Sequence, residues 1–173
     1  MLKTDIPEAN LDKPWVFLDI DGVLNHECYY RRITEIDPDF DFDKPHDFDP
    51  RSCAILNEIA DWNFVLSSTW RRSNPLDKIN EYLTFNGFRG KMISKTPIIN
   101  NSWSVRGNDI RAWIHENVKS SDGFRHNFVI FDDDSDMLLQ QAKNFFHVDR
   151  YAGITPNTIY KAKRFATSHG FVV

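Results

Sequence analysis

The sequence predicts an α/β fold, an open parallel sheet with helices on both faces, and three observations lead there. The runs Trp15-Val16-Phe17-Leu18, Asn63-Phe64-Val65-Leu66 and Asn127-Phe128-Val129-Ile130-Phe131 lack polar alternation, as strands covered on both faces require. Between them lie segments whose apolar residues recur at helical spacing. Each run ends in polar groups: Asp19-Ile20-Asp21, Ser67-Ser68-Thr69 and Asp132-Asp133. In an open parallel sheet the carboxyl ends of the strands share one edge, where ligands bind, so the three clusters are expected to converge.

In chain order, the first strand stops at two carboxylates one residue apart. Burying them is costly unless a cation or a proton neutralises them. A period of two turns Asp19 and Asp21 the same way and sends Ile20 into the core. Gly22 then lets the chain leave in a tight turn. Residues 25–48, crowded with Asp and Tyr, read as a polar and aromatic connection. Asp49 as N-cap and Pro50 at the first helical position start a helix, with Cys53, Leu56, Ile59 and Ala60 as its buried stripe. After the second strand, residues 75–86 read as a helix with Leu76, Ile79, Tyr82 and Leu83 inward and Gly87 as C-cap. Residues 91–99 read as a short strand and loop. Asn108 or Asp109 opens the next helix, whose apolar face is Ile110, Trp113, Ile114 and Val118. Beyond the third strand come a helix over 137–144, a strand over 145–148, and a last helix capped by Thr155 and Pro156. Phe171-Val172-Val173 would add an edge strand.

The 173 residues, 41% of them hydrophobic, suffice for a packed core and read as one domain over 1–173. A net charge of −4 excludes general attraction to nucleic acid over the whole surface, though not a local basic patch. No apolar run approaches the length of a membrane span, so no membrane partner is expected, and no feature calls for an obligate protein partner. The first residues lack the apolar core of a signal peptide, which points to the cytoplasm. Cys28 and Cys53 have no metal-type spacing and read as free thiols. The six histidines, among them His26, His46 and His147, show no ligand spacing and read as surface or loop residues.

Two acidic clusters at one edge make an oxygen-rich site for a hard divalent cation, and Mg²⁺ suits a site of a few carboxylates and several waters. A neighbouring hydroxyl and a basic side chain would complete a pocket for a tetrahedral anion, the set phosphoryl transfer needs. Asp19 is suited to attack phosphorus and form an acyl-phosphate, and Asp21 to protonate the leaving oxygen and later activate water. Ser67 is preferred to Ser68 and Thr69 as the hydroxyl because it comes first after the apolar run. Trp70-Arg71-Arg72 either stacks a base and holds a second phosphate or merely caps its loop. Tyr29-Tyr30-Arg31-Arg32 either lines a substrate entrance or packs its segment. The acids at 132–136 have a second explanation as a cluster at a helix N-terminus.

Asp19-Ile20-Asp21-Gly22-Val23-Leu24-Asn25 after a buried strand resembles the first motif of the haloacid-dehalogenase (HAD) superfamily of phosphatases. Ser67 after its strand resembles the second motif, and Asp132-Asp133 the fourth. Leu66-Ser67-Ser68-Thr69-Trp70-Arg71, Arg106-Gly107-Asn108-Asp109-Ile110-Arg111-Ala112-Trp113-Ile114 and Val129-Ile130-Phe131-Asp132-Asp133-Asp134-Ser135-Asp136 look like the HAD domain of Swiss army knife RNA-repair proteins, which also occurs as small stand-alone proteins. The resemblance implies a three-layer Rossmann-like (HAD-like) sheet with a small cap insert at about 25–48. It implies Asp19 as nucleophile and metal ligand, and Asp21 as acid/base with its carbonyl on the metal. Ser67 would donate to the phosphoryl oxygens. Asp133 would be a direct metal ligand, Asp132 one directly or through water, and Asp136 an outer partner. The third-motif cation is Arg106, with Lys95 as rival. Ser68, Trp70, Arg71 and Lys95 are expected to contact substrate.

A short insert leaves the cleft open, which favours a phosphorylated substrate that is a nucleotide or a nucleic-acid end. A small sugar or metabolite phosphate is the alternative, and a catalytically silent binding module is another. A phosphoacceptor receiver domain also gathers acids on a parallel sheet, but it carries its adjacent acidic pair on the first strand, and here that pair comes late.

Overall fold

The uninterrupted apolar runs pair side by side as the middle of a sheet. The structure is a computed structural model and describes residues 3–4, 6–42, 47–99, 105–119, 128–171 and 173. Its strands are β1 (Lys3–Thr4), β2 (Trp15–Leu18), β3 (Asn63–Leu66), β4 (Met92–Lys95), β5 (Val118–Lys119), β6 (Phe128–Asp132) and β7 (Phe145–His147). Its α-helices are α1 (Glu27–Ile36), α2 (Pro50–Leu56), α3 (Leu76–Phe85), α4 (Arg106–Asn117) and α5 (Pro156–Ser168). Five strands form one sheet in the order β4-β3-β2-β6-β7, all parallel, while β1 and β5 pair as a separate antiparallel ribbon.

Alternation along each strand divides the core into two layers. Val16, Leu18 and Ile20 pack with Phe64, Leu66, Val129 and Phe131 against Leu56 of α2, Ile79 and Leu83 of α3, and Ile159 and Ala162 of α5. On the other face Trp15, Phe17, Val65 and Ile130 meet Ile110 and Trp113 of α4. There Trp15 and Trp113 make an edge-to-face contact with centroids 4.9 Å apart, and the Trp113 indole N–H donates to Ser94 Oγ at 2.8 Å. Helices therefore cover both faces of the parallel sheet.

Several local expectations need correction. The 25–48 segment, expected as a polar and aromatic stretch, contains α1. Its cap is His26, whose Nδ1 accepts from the Tyr29 main-chain N–H at 3.3 Å, leaving Nε2–H to donate to Asp49 Oδ2 at 3.1 Å. His26 is thus buried structure rather than a surface residue. The helix expected from Asn108 or Asp109 begins at Arg106. The helix expected over 137–144 is only a 3-10 turn at Leu139–Gln141. Its polar side chains find partners elsewhere: Gln141 Nε2 donates to Gly107 O and Asn144 Nδ2 to Phe128 O, at 2.9 and 2.8 Å, while Leu139 is 89% exposed. Phe171 and Val173 belong to no strand, and Val172, Asn127 and His46 lie outside the described residues. Among the described residues no helix is long and apolar enough to cross a membrane.

Candidate functional site

Strand register alone aligns the site. Leu18 pairs with Leu66 on one side and with Phe131 on the other, so the next residues, Asp19, Ser67 and Asp132, fall in one row at the carboxyl edge. The main chain continues the ladder there: Asp19 N–H donates to Phe131 O at 3.0 Å and Ser67 N–H to Leu18 O at 2.9 Å. Asp19 and Asp132 are buried, and one carboxylate oxygen from each of Asp19, Asp132 and Asp133 lies within 4.8 Å of the other two. Gly22 makes this closeness possible. Its φ is +71°, and a Cβ there would land on the Asp133 carboxyl group.

The charges in this row do not balance. Arg106, the first residue of α4, brings Nη1 to 2.9 Å from Asp19 Oδ1 and 3.4 Å from Asp132 Oδ2, but it is aligned to donate to Ser67 O at 2.8 Å. Among the described residues Asp19 Oδ1, Asp132 Oδ2 and the Ser67 hydroxyl stay buried without a hydrogen-bond partner. Burial pushes the Asp19 carboxyl above its ordinary range, only partly offset by the Arg106 charge and a hydrogen bond from Ser68. Burial, followed by the Asp19 charge, pushes Asp132 up to about 8. Burial would lower Arg106, but Asp19 and then Asp132 outweigh it and hold the guanidinium above its ordinary value. An all-oxygen set with two orphaned carboxylate oxygens fits a hard divalent cation.

Asp21 sits two residues on and is exposed, while Ile20 between the two acids is wholly buried. The Trp70 indole N–H reaches both Asp21 oxygens, at 3.0 and 3.1 Å, and Asn25 Nδ2 donates to Oδ1 at 2.9 Å. Trp70 itself leans on Phe48, with centroids 5.1 Å apart. Ser68 is buried, and its Oγ accepts from the Trp70 main-chain N–H at 3.3 Å. Asp136 anchors the start of α4 by accepting from the Arg106 main-chain N–H at 2.8 Å.

Arg71 was expected to contact substrate, and its guanidinium is instead buried and fully engaged. Nε donates to Thr96 O at 3.2 Å, Nη1 to Ser67 O and Ser68 O at 2.6 Å each, and Nη2 to Pro97 O at 3.4 Å and Asp109 Oδ2 at 2.5 Å. All five N–H groups of the side chain are spent within the protein. Lys95 is exposed and donates to Arg71 O at 3.3 Å. Of the two rival cations the structure therefore brings Arg106, not Lys95, to Asp19.

Sequence reasoning missed three contacts of the site: Asp109 as partner of Arg71, the Trp70 bond to Asp21, and Arg150. Arg150 Nε donates to Asp133 Oδ2 at 2.7 Å. Its only signal was position, two residues past the strand expected over 145–148.

Residues 15–159 match the family model described as the HAD domain in Swiss Army Knife RNA repair proteins. No curated protein matches the chain.

Proposed function

The chain belongs to the family of HAD domains in Swiss Army Knife RNA repair proteins, and from that premise we propose that it is a Mg²⁺-dependent phosphomonoesterase working through an aspartyl-phosphate. Its favoured substrate is the terminal phosphate of a nucleotide or nucleic acid. Membership points to phosphatase-type hydrolysis. The observation that carries the finer reading is the row of Asp19, Ser67 and Asp132, with Asp133 beside it and buried oxygens left without partners.

Asp19, Asp132 and Asp133, with the main-chain carbonyl of Asp21, would hold the metal. Bound there, Mg²⁺ supplies positive charge to the phosphoryl oxygens and keeps the buried carboxylates ionised. An Asp19 oxygen bonds to phosphorus as the bond from phosphorus to the leaving oxygen breaks. Asp21, as the general acid, gives a proton to that oxygen, which departs as an alcohol. Asp21 then takes a proton from water, whose oxygen bonds to phosphorus. The acyl bond breaks, freeing Asp19 and inorganic phosphate. Ser67 Oγ, buried and unpartnered, is available to a phosphoryl oxygen, and Arg106 sets a cation beside the nucleophile. Ser68 and Trp70 hold the two aspartates in place, and Arg71 braces the serine loop.

The cap region supports a large or polymeric substrate, since among its described residues the regular structure is the single ten-residue helix α1. Phosphate release with Mg²⁺ across mononucleotides, end-phosphorylated oligonucleotides and sugar phosphates tests the reading. Turnover of the first two groups is expected. Turnover confined to sugar phosphates discards the nucleotide class, and no turnover of any discards the phosphatase.

A further inference from the structure

We propose that Arg150 selects substrates whose leaving group carries a second phosphate, an inference that rests on the phosphatase reading above. Asp21, as acid, must touch the leaving oxygen, so the leaving group lies against Asp21. One side of that carboxylate is closed by the Trp70 indole. On another side opens a cavity of about 200 Å³, whose walls include Asp21, Asn25, Glu27, Tyr30, Asp133 and Arg150. Ligand clefts usually hold roughly 300–1,000 Å³, so this space suits one small unit of a substrate rather than a long stretch.

The cations near the cleft differ in what they have left to give. Arg71 has no free N–H, Lys95 turns to the Arg71 carbonyl, and Arg106 faces Asp19 and Ser67 O. Arg150 differs from all three. Its side chain is 66% exposed, and among the described residues only Nε has a partner, Asp133 Oδ2. Its four terminal N–H groups remain for a ligand, in the planar fork that pairs with phosphate oxygens.

The residue is also held in place before any ligand arrives. Asp133 pins Nε, and the main chain of its loop is tied to α1, with Glu27 N–H donating to Arg150 O at 3.3 Å and Cys28 N–H to Tyr151 O at 2.9 Å. Less side-chain freedom is then lost when an anion binds. A neutral sugar would use little of this fork, whereas a second phosphate one sugar away from the scissile one would use its charge and its geometry.

A nucleoside 3′,5′-bisphosphate and the matching 3′- and 5′-monophosphates test the proposal through kcat/KM in wild type, Arg150→Gln and Arg150→Lys. Wild type should prefer the bisphosphate about tenfold, equivalent to about 1.4 kcal/mol. Arg150→Gln should bring that ratio close to one, and Arg150→Lys, a point charge without the fork, should keep part of it. Equal losses on all three substrates in Arg150→Gln would mean that the residue acts only through Asp133, and would overturn the proposal. So would a wild type without the preference. Absence of phosphate release from every substrate by wild type would instead remove the phosphatase reading, and the inference with it.

Discussion

Replacing Arg71 with Met separates a brace from a substrate contact. The change strips the hydrogen bonds from Ser68 O, Thr96 O and Pro97 O, while Ser67 O keeps its bond from Arg106. It also leaves the buried Asp109 carboxylate, among the described residues, with only the Ile99 main-chain N–H, at 3.1 Å. Breaking a buried ion pair from one side costs about 3–5 kcal/mol, because the remaining charge is stranded. A domain has only about 5–15 kcal/mol in all. Arg71→Met should therefore lower stability by about 4 kcal/mol, and the urea midpoint by about 2 M at a slope of about 2 kcal/mol per M. Asp109→Asn removes the stranded charge, so the double variant should fall short of the sum of the singles by about 2 kcal/mol. Urea unfolding followed by circular dichroism reads all four proteins. A single Arg71→Met variant within about 1 kcal/mol of wild type, or singles that simply add, would refute the brace. A raised KM with unmoved stability would return Arg71 to the substrate.

Asp19→Asn should lower phosphate release about a thousandfold or more, roughly 4 kcal/mol of transition-state stabilisation, and wild-type turnover in that variant would remove Asp19 as the nucleophile. Asp132, with its folded pKa raised to about 8 from 3.8, favours the folded state fully below about pH 4, and that contribution is lost as the pH rises toward 8. The melting temperature of protein held in chelator should fall over that window, and Mg²⁺ at pH 8 should recover it. A flat or rising profile, or no recovery, would contradict the site. Gly22→Ala sets a Cβ against the Asp133 carboxyl at a φ of +71°, so it should cost about 1–2 kcal/mol in backbone strain and weaken Mg²⁺ binding about tenfold by calorimetry. Unchanged affinity would show that Asp133 does not need its close seat beside the turn.

The parallel sheet and its acidic edge were legible because burial on both faces demands unbroken apolar runs, and β2, β3 and β6 have them. Their ends were equally plain, since each buried apolar run gives way to Asp or Ser at the carboxyl edge of the sheet. α1 was hidden because Tyr29 is the one side chain it buries and its cap is a histidine rather than Ser, Thr or Asp. The helix expected at 137–144 shows the reverse: only a 3-10 turn forms, with Gln141 and Asn144 drawn off by the carbonyls of Gly107 and Phe128.

The sequence by itself determined which carboxylates end the central strands, because side-chain alternation and apolar burial act within a few residues. Only the tertiary structure decided what each arginine does. A guanidinium's role depends on which acceptors surround it, and those of Arg71 come from Ser67, Thr96 and Asp109, brought together by strand order and helix packing. Arg150 keeps its terminal N–H groups for the same reason, since among the described residues only Asp133 accepts a hydrogen bond from its side chain.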